Sequence, residues 1–124
     1  MRLEKALESL RAAESCLALG LSNSCASRCY YAMFQAAVVA LQAGGLQRDA
    51  WSHTALQATF TNEMIHRRKI YPRQLAEYLN RGLFWRNIAD YGDGEISLRR
   101  AKQLVAWAIV FVTKVQEVTS YENR

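Results

Sequence analysis

The sequence predicts an all-α protein: an antiparallel up-and-down bundle of four to five helices. Three observations carry this. Apolar residues recur every three or four positions along the chain, and no stretch of any length alternates with a period of two. Pro occurs once and Gly six times in 124 residues, which leaves room for long helices. The breaks between apolar stripes fall at short polar or Gly-containing turns, so helices of roughly 15–22 residues are joined by tight connections.

In the first element, Leu3, Ala6, Leu10, Ala13 and Leu17 make a stripe that stops at Gly20, a natural C-cap residue. Ser22, Asn23 or Ser24 is placed to cap a second helix running to about Gln42, ahead of Gly44-Gly45. Its inner face holds Cys25, Cys29, Ala32, Met33, Ala36 and Ala40, small residues that permit close packing. A loop from Gln47 to Trp51 leads to Ser52, a candidate N-cap for a third helix with Leu56, Phe60 and Met64 inward. Arg67, Arg68 and Lys69 suit its C-terminal end. Pro72 fits the first turn of a fourth helix, whose buried face is marked by Leu75, Leu79, Gly82 and Leu83. Gly92-Asp-Gly94 ends it. Ser97 then caps a fifth helix with a near-heptad rhythm at Leu98, Ala101, Val105, Ala108, Val112 and Val115, and the last few residues are expected to fray.

Neither a linker nor an internal repeat divides the chain, so residues 1–124 are read as a single domain, long enough to bury a core without disulfides or metal. Half the residues are apolar and 22% are charged, the composition of a globular protein. The net charge of +5 comes from twelve Arg and four Lys against eleven carboxylates. Arg is the residue for bidentate contacts with phosphate, so the bias points to an anionic partner such as RNA; an ordinary Arg-rich surface explains it as well. Cys16, Cys25 and Cys29 leave an odd thiol with no secretory-type segment before them, and a reduced, cytoplasmic setting is expected. Their spacing suits neither a disulfide nor zinc, so they are read as small core residues. The most apolar stretch, Leu104 to Val112, is far shorter than the roughly 20 residues a membrane span needs.

Several polar residues interrupt the apolar pattern where burial without a partner would be costly. Arg28, Tyr31, Gln35 and Gln42 share one side of the second helix, a polar seam that is also readable as a solvated face. Arg86 falls on the face of Leu75 and Leu79, with Asp90 one turn later; the pair is either a structural ion pair or an Arg held rigid for a phosphate. His53 lies on the stripe of Leu56, Phe60 and Met64 near a helix start, which favours a neutral imidazole, whether a core histidine or a base. His66 falls on another face and reads as exposed. No Gly-rich phosphate loop, metal-ligand spacing or Gly-x-Ser-x-Gly elbow occurs.

At these residues the chain resembles the HEPN domain family over nearly its whole length. The resemblance rests on an Arg-x-x-Tyr-Tyr-Ala-x-Phe type of helix (Arg28, Tyr30, Tyr31, Ala32, Phe34), a Ser-His segment (Ser52, His53) and an Arg-x-x-Ala-Asp-Tyr segment (Arg86, Ala89, Asp90, Tyr91). It implies a helical bundle that binds RNA or a nucleotide, acts as a homodimer, and works in a toxin–antitoxin or nucleotidyltransferase-linked system with a nucleotidyltransferase-type partner. Many such proteins are metal-independent endoribonucleases, so no cofactor is expected. By resemblance, Arg86, His53, Asp90 and Tyr91 form the candidate catalytic set, and Arg28, Tyr31 and Asn87 the RNA- or nucleotide-binding set. The family's cleavage signature is an Arg and a polar residue followed by His. Arg86-Asn87 begins it, but positions 91–93 are Tyr91, Gly92 and Asp93, so cleavage requires His53 from another helix or a second subunit. Arg48-Asp49 with His53 also fits the spacing, but roughly 0.6 such matches arise by chance. The near-heptad last helix, with the resemblance, suggests a symmetric dimer. The alternative is a non-enzymatic helical protein-interaction module.

Overall fold

The computed structural model describes residues 1–122, so the fraying expected at the extreme C-terminus lies partly outside the described residues. The elements are α1 (Leu3–Ala18), α2 (Ser22–Ala43), α3 (His53–Thr59), a π-helical segment that directly continues it (Phe60–Arg67), α4 (Gln74–Tyr91) and α5 (Leu98–Glu122). No strand occurs among the described residues, in keeping with the predicted all-α bundle.

α2 is the central helix and packs on α1, α4 and α5. Its buried residues include Cys25, Ala26, Ala32, Ala36, Ala37 and Ala40, whose small side chains let three neighbours approach one axis. Two pairs of cross-links fix antiparallel directions. On α1, the Met1 nitrogen donates to Gln42 Oε1 (2.7 Å), and Ser9 Oγ lies 2.7 Å from the Gln35 amide. On α4, Tyr31 meets Arg86 and Ser27 meets Asp90. The core centres on Tyr30, Met33, Phe60, Leu75, Leu79 and Phe111, each fully buried. Every such side chain contributes about 1.5–3 kcal/mol through apolar burial.

The glycine stops at 20 and 45 are required by backbone geometry. Gly20 (φ +75°) and Gly45 (φ +82°) occupy the left-handed position after α1 and α2. In each case two N–H groups fold back on the helix end: Gly20 N to Leu17 O (3.0 Å) with Leu21 N to Cys16 O (2.8 Å), and Gly45 N to Gln42 O (3.0 Å) with Leu46 N to Leu41 O (2.8 Å). The N-caps at Ser52 and Ser97 are present, their hydroxyls accepting from Ala55 N and Arg100 N, both at 3.0 Å.

Four local expectations are corrected. No side chain caps α2: Asn23 Oδ1 instead accepts from Ile96 N (2.9 Å), tying the α4–α5 connection to the start of α2. Pro72 precedes the first turn of α4, its carbonyl accepting from Leu75 N at 3.1 Å. The third helix changes from α to π at Phe60, a transition that the i, i+4, i+8 spacing of Leu56, Phe60 and Met64 tolerates because all three remain buried. Finally, the rhythm of α5 is used within the chain beyond its first member: Leu98 is exposed, but Ala101, Val105, Ala108, Val112 and Val115 are all buried in the core, so that pattern supplies no argument for a dimer. Cys25 and Cys29 are free and buried, with sulfurs 4.0 Å apart, as small core residues, whereas Cys16, read in the same way, is free but only half-buried.

Candidate functional site

The seam between α2 and α4 brings together residues 55 positions or more apart. Gly82 makes this possible. A Cβ at position 82 would lie 2.6 Å from Met33 Cε and 3.3 Å from Tyr30 Cδ1, so α4 rests directly against α2 one turn before Arg86. At that distance Arg86 Nη2 donates to Tyr31 Oη (2.7 Å), and its guanidinium carbon sits 5.2 Å from the Tyr31 ring centre and 5.5 Å from that of Tyr91. Arg86 Nε lies 2.9 Å from Asp90 Oδ2, the i, i+4 pair expected from the sequence. This contact is an ion pair and not a hydrogen bond, since the buried Nε has no hydrogen-bond partner among the described residues. Nη1 donates to Asn87 Oδ1 at 3.3 Å, and Ser27 Oγ donates to Asp90 Oδ2 at 3.4 Å. The Arg86 side chain is 12% exposed and that of Asp90 30%, so the arginine is held from three sides while the carboxylate keeps contact with water.

The neighbouring tyrosine turns the other way. Tyr30 Oη lies 2.6 Å from His53 Nδ1, and the two rings are 5.4 Å apart; the His53 ring also meets Phe34 edge-on at 5.3 Å. Burial pushes the Tyr30 hydroxyl up to about 12, against smaller opposing effects from Gln57 and the Arg86 charge. His53 is held below its ordinary value, first by burial and then by the positive charge of Arg86. The neutral imidazole expected at this position therefore has a second cause beyond its apolar surroundings. The Tyr30-Tyr31 pair, rings 5.8 Å apart and near T-shaped, joins the histidine to the arginine.

Arg28 stands beside Tyr31 with its guanidinium carbon 5.0 Å from the ring centre, and it makes no ion pair among the described residues. It lines a groove of about 710 Å³ together with Cys16, Ser24, Ser27, Asp90 and Tyr91. Tyr91 is 76% exposed at the end of α4. The structure thus joins Arg28, Tyr31, Arg86, Asn87, Asp90 and Tyr91 in one contact cluster, of which Arg28, Asp90 and Tyr91 line the groove, while His53 contacts Tyr30 and does not line it. The polar seam of α2 divides: Gln35 and Gln42 serve α1 contacts and belong to the scaffold. Arg48 stacks over Trp51 (4.6 Å), and neither Arg48 nor Asp49 makes a hydrogen bond or ion pair with His53 among the described residues. His66 is exposed.

Two groups were not singled out from the sequence. Ser27 donates to the same Asp90 oxygen that Arg86 contacts, and its only signal is the position directly before Arg28. The Tyr30 hydroxyl, read as part of a packing pair, is the partner of His53. Among the described residues no group of three His, Cys, Asp or Glu side chains is placed to hold a metal ion, and no helix is long and apolar enough to cross a membrane.

Fold and site together define a helical bundle built around an arginine–tyrosine–aspartate cluster between two antiparallel helices. A sequence profile of the HEPN domain matches residues 1–118, and the chain belongs to the HEPN family. No curated protein matches the sequence significantly.

Proposed function

We propose that this is a HEPN-type RNA- or nucleotide-binding protein whose α1–α2–α4 groove receives phosphate at Arg28. The observation that carries this reading is the division of labour between two arginines. Arg86 neutralises Asp90 and fixes Tyr31, while Arg28, resting on that tyrosine, keeps an uncompensated charge facing the groove. Without Arg86, the Asp90 carboxylate would repel a phosphate approaching Arg28; with it, the groove is net positive. Asn87 completes the hold on Arg86, and Tyr91 offers an exposed ring on which a base can stack. By its family, the protein is proposed to form a homodimer and to work beside a nucleotidyltransferase-type partner in a toxin–antitoxin setting inside the cell.

Metal-independent RNA cleavage is a second reading, and His53 favours it. Its Nδ1 is engaged by Tyr30, its Nε2 has no hydrogen-bond partner among the described residues, and it is neutral at pH 7, so it can take a 2′-OH proton. Because His53 lies outside the groove, cleavage in this reading uses RNA that spans the tyrosine pair or a second subunit, with arginine stabilising the pentacoordinate phosphate. The deciding experiment measures RNA and nucleotide binding, at two salt concentrations, for the parent protein and for Arg28→Ala, alongside cleavage by His53→Ala. Salt-sensitive binding lost in Arg28→Ala supports the phosphate groove. Binding that is absent, or unchanged in Arg28→Ala, overturns it and leaves the non-enzymatic interaction module.

A further inference from the structure

On the other side of Phe34, away from the Arg28 groove, lies a second cavity of about 300 Å³ between α1, the end of α2 and the loop leading to α3. Its apolar wall is made by Phe34, Val38, Leu46 and Trp51, all of them only partly covered by the core. Lys5 and Arg48 stand at its polar side with a single carboxylate, Asp49. None of these three side-chain charges has an ion-pair partner among the described residues, and the Met1 ammonium, which donates to Gln42 on the same wall, adds to the positive excess. Arg48 is instead stacked on the Trp51 ring at 4.6 Å, which holds the guanidinium at the edge of the apolar wall.

An enclosure of this size with one greasy aromatic side and a fixed cation at its rim matches the general character of a small-molecule pocket. We propose that this cavity is a binding site for a small planar organic anion, an aromatic body carrying one carboxylate. The ring would lie on Trp51, Val38 and Phe34, and the carboxylate would meet Arg48 and Lys5. The site is independent of the phosphate groove, yet it shares a wall with the histidine: the Phe34 ring that lines it meets His53 at 5.3 Å. An occupant is therefore linked to the Tyr30–His53 pair through Phe34, whose ring meets both.

The probe is 2-naphthoate, compared with its neutral isostere 2-naphthamide, titrated by NMR into the full chain. The expected result is a saturable shift of the Trp51 indole N–H with the signals of Trp85, Trp107 and Tyr91 unmoved, together with a smaller shift of the His53 ring. The neutral amide binds about tenfold more weakly, and Lys5→Gln and Arg48→Gln each weaken 2-naphthoate about threefold, the range of an exposed charge pair. Val38→Trp, which fills the cavity, abolishes binding while its thermal melt shows that it folds. No saturable shift of Trp51 at millimolar probe, equal binding of acid and amide, or unchanged affinity in Val38→Trp overturns the proposal. Arg28→Ala serves as the control that separates the two sites: it leaves 2-naphthoate binding intact, and a loss there would also overturn a separate pocket.

Discussion

Arg86 reaches across from α4 to donate to the Tyr31 hydroxyl at 2.7 Å, while its Nε contacts Asp90 at 2.9 Å on its own helix. One guanidinium therefore fixes both an aromatic ring on α2 and a carboxylate on α4. Arg86→Ala leaves Asp90 and the Tyr31 hydroxyl without this partner and costs about 2 kcal/mol, less than for a sealed ion pair because Asp90 still touches water. Arg86→Lys keeps the charge but cannot make both contacts, so the fold survives and RNA or nucleotide binding falls about tenfold. Asp90→Asn removes the local carboxylate, costs about 1 kcal/mol and, if Arg28 binds phosphate, leaves binding equal or stronger. Thermal melting beside a binding titration checks all three; equal binding by the parent protein and Arg86→Lys contradicts the positioning role.

His53 carries the pH dependence. Its pKa is depressed in the folded protein, so between the ordinary value near 6.5 and the folded value the unfolded chain binds the extra proton. The stability contribution is therefore fully present above about pH 6.5 and is lost as the pH falls toward the folded pKa. An NMR titration should place the ring below 6.5, and Arg86→Gln should move it upward by removing the second cause of the shift. A His53 pKa at or above 6.5 in the parent protein contradicts this account.

Gly82 sets the spacing of the seam. In Gly82→Ala the new methyl meets the flexible end of Met33, which can swing aside, and the gain in helix propensity offsets much of the crowding, so the melting temperature changes little. Gly82→Val drives a branched side chain against Tyr30 as well and costs about 2–3 kcal/mol. The larger residue should also separate Tyr31 from Arg86, visible as a loss of phosphate binding greater than the Gly82→Ala variant shows. Equal melting of the two variants would show that the helices are not in contact here.

The oligomeric state tests the family-based expectation on its own, because the apolar rhythm of α5 from Ala101 to Val115 is already buried within the chain. Light scattering at micromolar protein should give about twice the chain mass of 14.1 kDa. A monomer at that concentration removes any site shared between subunits and leaves only sites formed within one chain.

The fold was readable in the sequence mainly where a signal is local, though the expected cap of α2 and the expected place of Pro72 in α4 were not found. Helix stops at Gly20 and Gly45 follow from a backbone conformation that only glycine adopts cheaply, and the caps at Ser52 and Ser97 from a hydroxyl reaching three residues ahead. The Arg86–Asp90 pair was readable for the same reason, being one turn apart on one helix. What joins separate helices was not. The partnership of Tyr31 with Arg86, of Tyr30 with His53 and of Asn23 with Ile96 depends on how α2 docks against its neighbours, and a polar residue's wheel position does not say which neighbour claims it. Gln35 and Gln42 show the cost: they share a helix face with Arg28 and Tyr31, yet serve α1. The near-heptad spacing of α5 likewise describes a buried stripe without telling whether its cover comes from the same chain or another.

The π-helical segment from Phe60 to Arg67 gives the chain an unusual sensitivity to length. Its i→i+5 closure uses more residues per turn than an α-helix, so removing one exposed residue there, such as Asn62, would let the segment tighten into ordinary α-helix without a break. The tightening makes up part of the missing step, so everything downstream would be turned by less than the roughly 100° that one residue represents in an unbroken α-helix. The Arg68 guanidinium, which donates to Gly44 O at 2.9 Å, and the Ile70 and Tyr71 amides, which donate to Met64 O at 2.9 and 3.2 Å, would all lose their alignment. Substitutions at the exposed positions of this segment are thus a mild perturbation, whereas a one-residue deletion also moves the approach to α4.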